Sequence, residues 1–244
     1  MILLVDNSNT RTKFALGDEV GLGSWHATIN TADLTPESVR ELVAGLDFDA
    51  SALCSVVPWA AKVIREGLAG KPLHQISFRS RLPISISYPQ PAQIGADRLA
   101  NAVAAFQDAG EAVIVIDFGT AVTFDVIDAS GAYCGGAIAP GTSVLRDYLA
   151  DKTALLPKIE LAEPQTAIGR STEEAMLVGS VIGYRGLIRS ILEAIKKELP
   201  GEARVIATGG DAELMSRGVA EIERVEGLLT LEGIRLIAIM NPSL

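Results

Sequence analysis

The 244-residue chain is 48% hydrophobic and 21% charged, which excludes a disordered chain and leaves room for one large domain or two small ones at roughly 100–200 residues each. A formal net charge of −9 with no basic stripe gives no electrostatic reason to bind nucleic acid or anionic lipid. Cys54 and Cys134 lie far apart in apolar surroundings and are expected as buried, inert thiols; with no stretch approaching the roughly 20 apolar residues of a membrane span, a soluble cytoplasmic protein is expected.

Residues 2–5 predict a buried strand that stops at Asp6, and "TRTKFAL" its hairpin partner. A helix follows over "TPESVRELVAGL", with Thr35 as N-cap and Pro36 at the first helical position, then the strand "SALCSVV" closing at Pro58 and the helix "WAAKVIREGLAG". A further strand ends at Tyr88. After a proline-rich loop, a helix begins near Gly95, with Leu99, Val103 and Phe106 on its buried face. The second half predicts strands near 113–117, 121–127 and 133–139, a helix after Gly141, a long apolar helix from Ser171 to about Leu199, the strand "ARVIAT" and the closing helix "LLTLEGIRLIAIM". Strands alternating with helices of about a dozen residues imply an α/β chain with a mixed sheet covered by helices.

The opening repeats itself at "EAVIVIDFGTAVTFDVID": Asp6 matches Asp117, Ser8 matches Gly119 and Thr12 matches Thr123, at an offset of 111 residues. Self-similarity close to half the chain length marks a duplicated unit, with domains expected at 1–110 and 111–244.

A tight turn between two strands exposes backbone N–H groups, and small residues let a phosphate approach them. "DNSNTRTK" offers such a turn with amide, hydroxyl and ammonium groups on its rim; Asp6 beside phosphates requires a cation or a water between them. Taken alone, the segment reads rather as a hairpin turn satisfied by its own Asn and Ser side chains. Two matched turns favour a nucleotide triphosphate held between them. The G-x-x-x-x-G-K-[ST] motif is absent, and "GLGSWH" lacks the third glycine and the strand–helix context of a dinucleotide site.

Asp97 and Arg98 fall in the first turn of the Gly95 helix, where the dipole favours a carboxylate and is expected to depress its pKa. Arginine opposes that dipole, which points to an anionic partner suited to its planar fork, such as a carboxylate. In phosphoryl transfer an ionised aspartate can still accept a hydroxyl proton late in the reaction, so Asp97 is a candidate catalytic base. "GGAIAPG" is a second place where backbone can approach a ligand, or a plain strand-to-helix turn. His26 and His74 lack ligand-spaced partners for zinc, and Trp25 and Trp59 are expected as core or interface anchors.

Together these segments resemble the type III pantothenate kinases, of the acetate-and-sugar-kinase, heat-shock-70 and actin superfamily. The family's D-x-G-N-T-x-x-K is similar to "DNSNTRTK", its "SVVP" to Ser55–Pro58, its G-[AT]-D-R to Gly95–Arg98 and its D-x-G-T-A to Asp117–Ala121; "GGAIAPG" and "AIGRSTEEAM" also match in order. The resemblance implies duplicated ribonuclease-H-like (actin-like ATPase) domains and phosphorylation of pantothenate by Mg-ATP, the first step toward coenzyme A. It implies that Asp6, Asn7, Ser8, Asn9, Thr10, Arg11, Thr12 and Lys13 form the first ATP phosphate loop, and that Thr120 belongs to the second. Asp97 would be the proton acceptor, and Tyr88, Gly95, Ala96, Asp97 and Arg98 would line the pantothenate pocket. Asp117 would bind a monovalent cation, potassium or ammonium. Thr172 would reach the pocket of a neighbouring subunit, implying a homodimer with a shared active site, and the long Ser171 helix is the first expectation for the contact. "ATGGDAEL" would lie near the adenine. Ser8 stands where the family has glycine; strain is expected if the position needs positive φ, with its hydroxyl available to phosphate in compensation. The alternatives are a same-superfamily kinase for another small hydroxyl or carboxyl compound, and a non-catalytic nucleotide-binding regulator on this fold.

Overall fold

In the computed structural model, which describes residues 1–242 apart from the side chains at 145 and 146, the N-terminal apolar run becomes the central strand of a five-stranded sheet. β1 (Ile2–Asn7) pairs antiparallel with β2 (Arg11–Gly17), and β2 with β3 (Leu22–Asn30), so "GLGSWH" lies at the start of a strand. On its other edge β1 runs parallel to β4 (Ala50–Ser55), and β4 to β5 (Leu73–Gln75), giving the order 3-2-1-4-5. A strand covered on both faces needs apolar residues at every position, hence the unbroken run Leu3, Leu4, Val5. Leu3 and Val5 share one core with Phe14, Val39 and Ile64. The last two come from α1 (Pro36–Leu42) and α2 (Pro58–Gly67). The predicted cap of α1 is present and reciprocal: the Ser38 amide donates to the Thr35 hydroxyl oxygen and the Thr35 amide to the Ser38 hydroxyl oxygen, both at 3.0 Å. Such a cap contributes about 1 kcal/mol. After the short strand β6 (Ser85–Ile86), α3 (Ala96–Ala109) packs on β4. Tyr88 lies two residues beyond β6 rather than at its end.

The second sheet repeats the first. β7 (Val113–Phe118), β8 (Ala121–Ile127) and β9 (Ala132–Pro140) form an antiparallel meander, and β10 (Arg204–Gly209) and β11 (Arg224–Val225) follow parallel to β7, giving 9-8-7-10-11. Between them come α4 (Thr142–Lys152), then α5 (Thr172–Val178) joined through a π-helical turn at Gly179–Gly183 to α6 (Tyr184–Glu198), and, after β10, α7 (Ala212–Ser216). The long predicted helix is therefore one rod with a π turn, and Ser171 is its cap: the Glu174 amide donates to the Ser171 hydroxyl oxygen at 3.1 Å. By length and composition alone, with mean hydropathy 1.3 over an 18-residue window, this rod could cross a membrane. Its stripe Val181, Tyr184, Ile188, Leu192 is instead buried on β7 and β8 through Ile114, Ile116 and Phe124.

The hairpins correct the predicted match of Thr12 with Thr123. In the first hairpin Asp6 stands opposite Lys13 and Asn7 opposite Thr12; in the second Asp117 stands opposite Thr123 and Phe118 opposite Val122. The second turn is one residue shorter, so Asp6 corresponds to Asp117 and Ser8 to Gly119, but Lys13 corresponds to Thr123 and Thr12 to Val122. Asn9 has no counterpart.

The chain divides into Met1–Gly110 with the segment from Leu228 on, and Glu111–Gly227. The closing helix α8 (Leu229–Met240), expected in the second domain, thus belongs to the first unit. The cause is close packing: a Cβ at Gly233 would fall on the Ala100 backbone of α3, an approach only glycine allows. Arg235 of α8 also donates to the carbonyls of Asp18 (2.8 Å) and Glu19 (3.2 Å) in the β2–β3 turn. The expectation of two buried thiols holds for Cys54 but not for Cys134, which is exposed because it falls on the outward phase of β9. Trp59 is 51% exposed at the start of α2, whereas Trp25 packs against the first core.

Candidate active site

Why so many polar residues follow the first strand is answered by a buried chain of hydrogen bonds. The Val57 amide donates to the Ser55 hydroxyl oxygen (3.1 Å), and the Ser55 hydroxyl donates to Asn7 Oδ1 (2.6 Å). Asn7 Nδ2 donates to Thr12 Oγ1 (2.7 Å); Thr12 Oγ1 and Thr31 Oγ1 are 3.0 Å apart, and Thr31 Oγ1 donates to the Ser8 carbonyl (2.7 Å). A hydroxyl has one proton, and that of Thr31 is spent on Ser8, so Thr12 is the donor between the two threonines. Asn7, Thr12 and Thr31 are at most 1% exposed, so their side chains shape the turn from inside. The turn's surface groups are Ser8, Asn9, Thr10 and Arg11, with Lys13 beside them.

Ser8 is not strained: among the described residues no non-glycine residue has positive φ. Its hydroxyl donates to the Arg11 carbonyl at 2.9 Å, beside the amide bond to the same atom at 3.1 Å, so it closes the turn. Lys13 Nζ lies 3.8 Å from Asp6 Oδ2 across the hairpin, setting an ammonium over the nearly buried carboxylate at the strand end.

Asp6 also stands opposite Cys54 in the parallel pairing of β1 and β4. Burial pushes the Cys54 thiol well up, and the carboxylates of Asp6, in β1, and Asp97, at the start of α3, push it further, so the buried thiol stays protonated. Gly95 is the N-cap of α3; a side chain there would collide with Asp97 Oδ1, which accepts the Arg98 amide at 2.8 Å. The expected depression of the Asp97 pKa by the helix dipole is overturned: it is raised, because burial outweighs the amide bond and the Arg98 charge. A carboxylate of raised basicity is better matched to accepting a proton near neutral pH. Tyr88 and Arg98 are half-buried in the same unit.

In the second unit Thr120 is exposed at the tip of the shorter turn, where the Gly119 amide donates to the Ala121 carbonyl at 3.1 Å. Gly141, the last residue of "GGAIAPG", donates to the Thr120 carbonyl at 3.0 Å, and a Cβ there would collide with the carbonyls of Gly119 and Thr120. This glycine lets backbone approach backbone. Gly209, at φ +97°, is packed against the neighbouring strand: a Cβ there would lie 2.5 Å from the Phe118 carbonyl oxygen and 2.6 Å from Asp117 Oδ1, so only glycine fits beside this carboxylate. Asp211, in "ATGGDAEL", accepts a short hydrogen bond from the Thr142 hydroxyl. Burial, with the Asp211 charge, pushes the nearby Tyr184 hydroxyl to about 12, and it donates to the Pro140 carbonyl at 2.8 Å. Thr172 is exposed at the first position of α5.

Thr31 escaped the sequence reading, and Ser55, Gly141 and Gly209 entered it only as members of the segments "SVVP", "GGAIAPG" and "ATGGDAEL", without their partners. Their partners are 23, 48, 21 and 92 positions away, so only strand register reveals them.

The model of the type III pantothenate kinase family matches residues 2–194. A type III pantothenate kinase of Akkermansia muciniphila is 49% identical over 239 residues, covering 98% of each chain. Among solved structures, a conserved putative Baf family transcriptional activator from Campylobacter jejuni aligns with TM-score 0.65 at 18% identity over 98% of each chain. A ROK family glucokinase from Streptomyces griseus, in complex with glucose and AMPPNP, aligns with TM-score 0.55 at 16% identity, covering 96% of this chain and 98% of the other. At these identities the structures bear on fold alone, and they agree with the duplicated 3-2-1-4-5 sheets of a ribonuclease-H-like ATPase. The chain belongs to the type III pantothenate kinase family.

Proposed function

We propose that the protein transfers the γ-phosphoryl group of Mg-ATP to the primary hydroxyl of pantothenate, the first step of coenzyme A synthesis, in the cytoplasm. The observation that carries this is Asp97, a carboxylate of raised pKa at a helix start beside Arg98, in a chain of this family. In this reading Asp97 accepts the hydroxyl proton, Arg98 pairs with the pantothenate carboxylate, and Tyr88, Gly95 and Ala96 complete the pocket. Lys13 and the amides of the first turn, with Thr120 of the second, hold the ATP phosphates. Asp117, whose carboxylate lies against the Gly209 backbone, binds a monovalent cation, potassium or ammonium, which supplies positive charge near the phosphates.

Product analysis by mass spectrometry, with purified protein, MgATP, pantothenate and potassium, tests the reaction. A 4′-phosphopantothenate peak is expected. Its absence, with ATP bound, favours another small hydroxyl or carboxyl substrate, or a non-catalytic regulator. Because the Ser8 hydroxyl already serves the turn, Ser8→Gly is expected to change the ATP KM by only about twofold, the worth of one exposed hydrogen bond; a tenfold change in steady-state kinetics would overturn this.

We further propose a homodimer in which Thr172 serves the partner's pantothenate pocket. Exposed apolar side chains of the second unit, Ile138, Val144, Tyr148, Ile168 and Ile182, support such a contact. If so, mixing Thr172→Ala protein with Asp97→Asn protein regains activity that neither has alone, since a mixed dimer holds one intact site. No regain after subunit exchange, checked by native mass spectrometry, would assign Thr172 to its own chain's site or to none.

A further inference from the structure

We infer that Thr31 and Ser55, neither of which lies in the first hairpin turn, are positioning residues that set its shape for the nucleotide; this rests on the reading of that turn as a phosphate-binding loop. Thr31 grips the turn twice. Its amide donates to the Thr10 carbonyl at 3.0 Å and its hydroxyl to the Ser8 carbonyl at 2.7 Å, so two backbone carbonyls flanking Asn9 are tied to one residue at the end of β3. Ser55 holds the other end through Asn7, and the Val56 amide donates to the Asn7 carbonyl at 3.2 Å.

The donors run in one direction, from the Val57 amide through Ser55, Asn7, Thr12 and Thr31 to the Ser8 carbonyl. Each group both accepts and donates, which strengthens its neighbours in a buried setting and leaves one arrangement of the turn fully satisfied. The duplicated unit provides the internal comparison. There Gly141 occupies the place of Thr31 and its amide makes the same bond, to the Thr120 carbonyl, also at 3.0 Å. The shorter turn lies directly against that glycine, leaving no space for a side chain. Beside the first turn, which has Asn9 in addition, the Thr31 side chain is accommodated and its hydroxyl reaches the Ser8 carbonyl. Val would match its shape without the hydroxyl, leaving the Ser8 carbonyl and the Thr12 hydroxyl without that partner.

Thr31→Val, Thr31→Ser, Ser55→Ala and Lys13→Ala would be compared by ATP affinity without pantothenate, by KM for each substrate, and by thermal melting. Thr31→Val is expected to raise the ATP KM about tenfold with pantothenate KM within about twofold, as for one lost buried hydrogen bond and its stranded partner. Ser55→Ala should show the same split more weakly, and Thr31→Ser should stay near wild type. If Lys13→Ala weakens ATP and Thr31→Val does not, or if Thr31→Ser is as impaired as Thr31→Val, the inference is wrong while the loop reading stands. An Lys13→Ala variant with unaltered ATP affinity removes the loop reading itself. Should Thr31→Val fail to fold, the ATP-against-pantothenate split in Ser55→Ala decides, and equal changes in both KM values overturn the inference.

Discussion

Asp97→Asn is expected to lower kcat by about 10²–10⁴, the usual contribution of a positioned acid–base group, while ATP still binds. The change is nearly isosteric, and the carboxamide oxygen of the variant can still accept the Arg98 amide that now bonds Asp97 Oδ1, so the loss isolates proton acceptance from geometry. The wild-type pH profile should show an acid limb, because the base works only when ionised. Since burial raises the Asp97 pKa, that limb lies above the ordinary aspartate value of 3.8, and residual activity of the variant should lack it. Stability should move the opposite way. A group whose folded pKa is raised binds its proton more tightly in the native state, so its stabilising contribution is full below the unfolded pKa and is lost as pH rises through the folded pKa. Above the folded pKa the ionised Asp97 is a burden on the fold, and there Asp97→Asn should melt no lower than wild type. A variant that keeps wild-type kcat, or loses it only by unfolding, removes Asp97 as the base.

Burial at Asp97 also marks where sequence reading stops. The alternation of apolar and polar residues and the helix punctuation at Thr35, Pro36 and Gly95 made most strands and helices legible, and the repeated aspartate-ended strand revealed the duplication. The sign of the Asp97 shift was not legible. The dipole acts through local sequence, whereas burial comes from the tertiary packing around the start of α3, which local sequence does not fix. The same limit hid the role of Asn7 and Thr12: as residue types they suit a phosphate loop, but their side chains turn inward because Ser55 and Thr31 arrive from distant strands. A ladder pairing of residues also corrected the repeat, since a one-residue deletion in a turn shifts every later match while leaving the motif's look intact. The strand β3 escaped because glycines and a histidine dilute its pattern, and α8 was placed with the wrong unit because tertiary packing at Gly233 outranks chain order.

With the proposed monovalent cation at Asp117, Thr123→Lys should reduce the dependence of activity on potassium. The corrected register places Lys13 opposite Asp6 in the first hairpin and Thr123 opposite Asp117 in the second, so the two aspartates differ in the charge across the ladder. In the first unit an ammonium comes with the chain, with Nζ 3.8 Å from the carboxylate. In the second, the Thr123 hydroxyl, which donates to Asp125 Oδ2 at 3.3 Å, brings no charge from the facing position, and under the proposed reading a cation from solution takes the place of that ammonium. Wild type is expected to lose most activity, about tenfold or more, when sodium replaces potassium, as for removal of an electrostatic group near a developing charge. Thr123→Lys should lower that ratio to about twofold, because the ammonium substitutes for the cation. A binding readout separates this from any general change in rate. Potassium that binds only the folded state raises Tm with concentration, so wild type should show a potassium-specific rise in Tm that the lysine variant lacks. If the variant keeps both the potassium-dependent rate and the potassium-dependent Tm, the charge opposite Asp117 is not what the cation supplies. If wild type shows neither, Asp117 holds no monovalent cation.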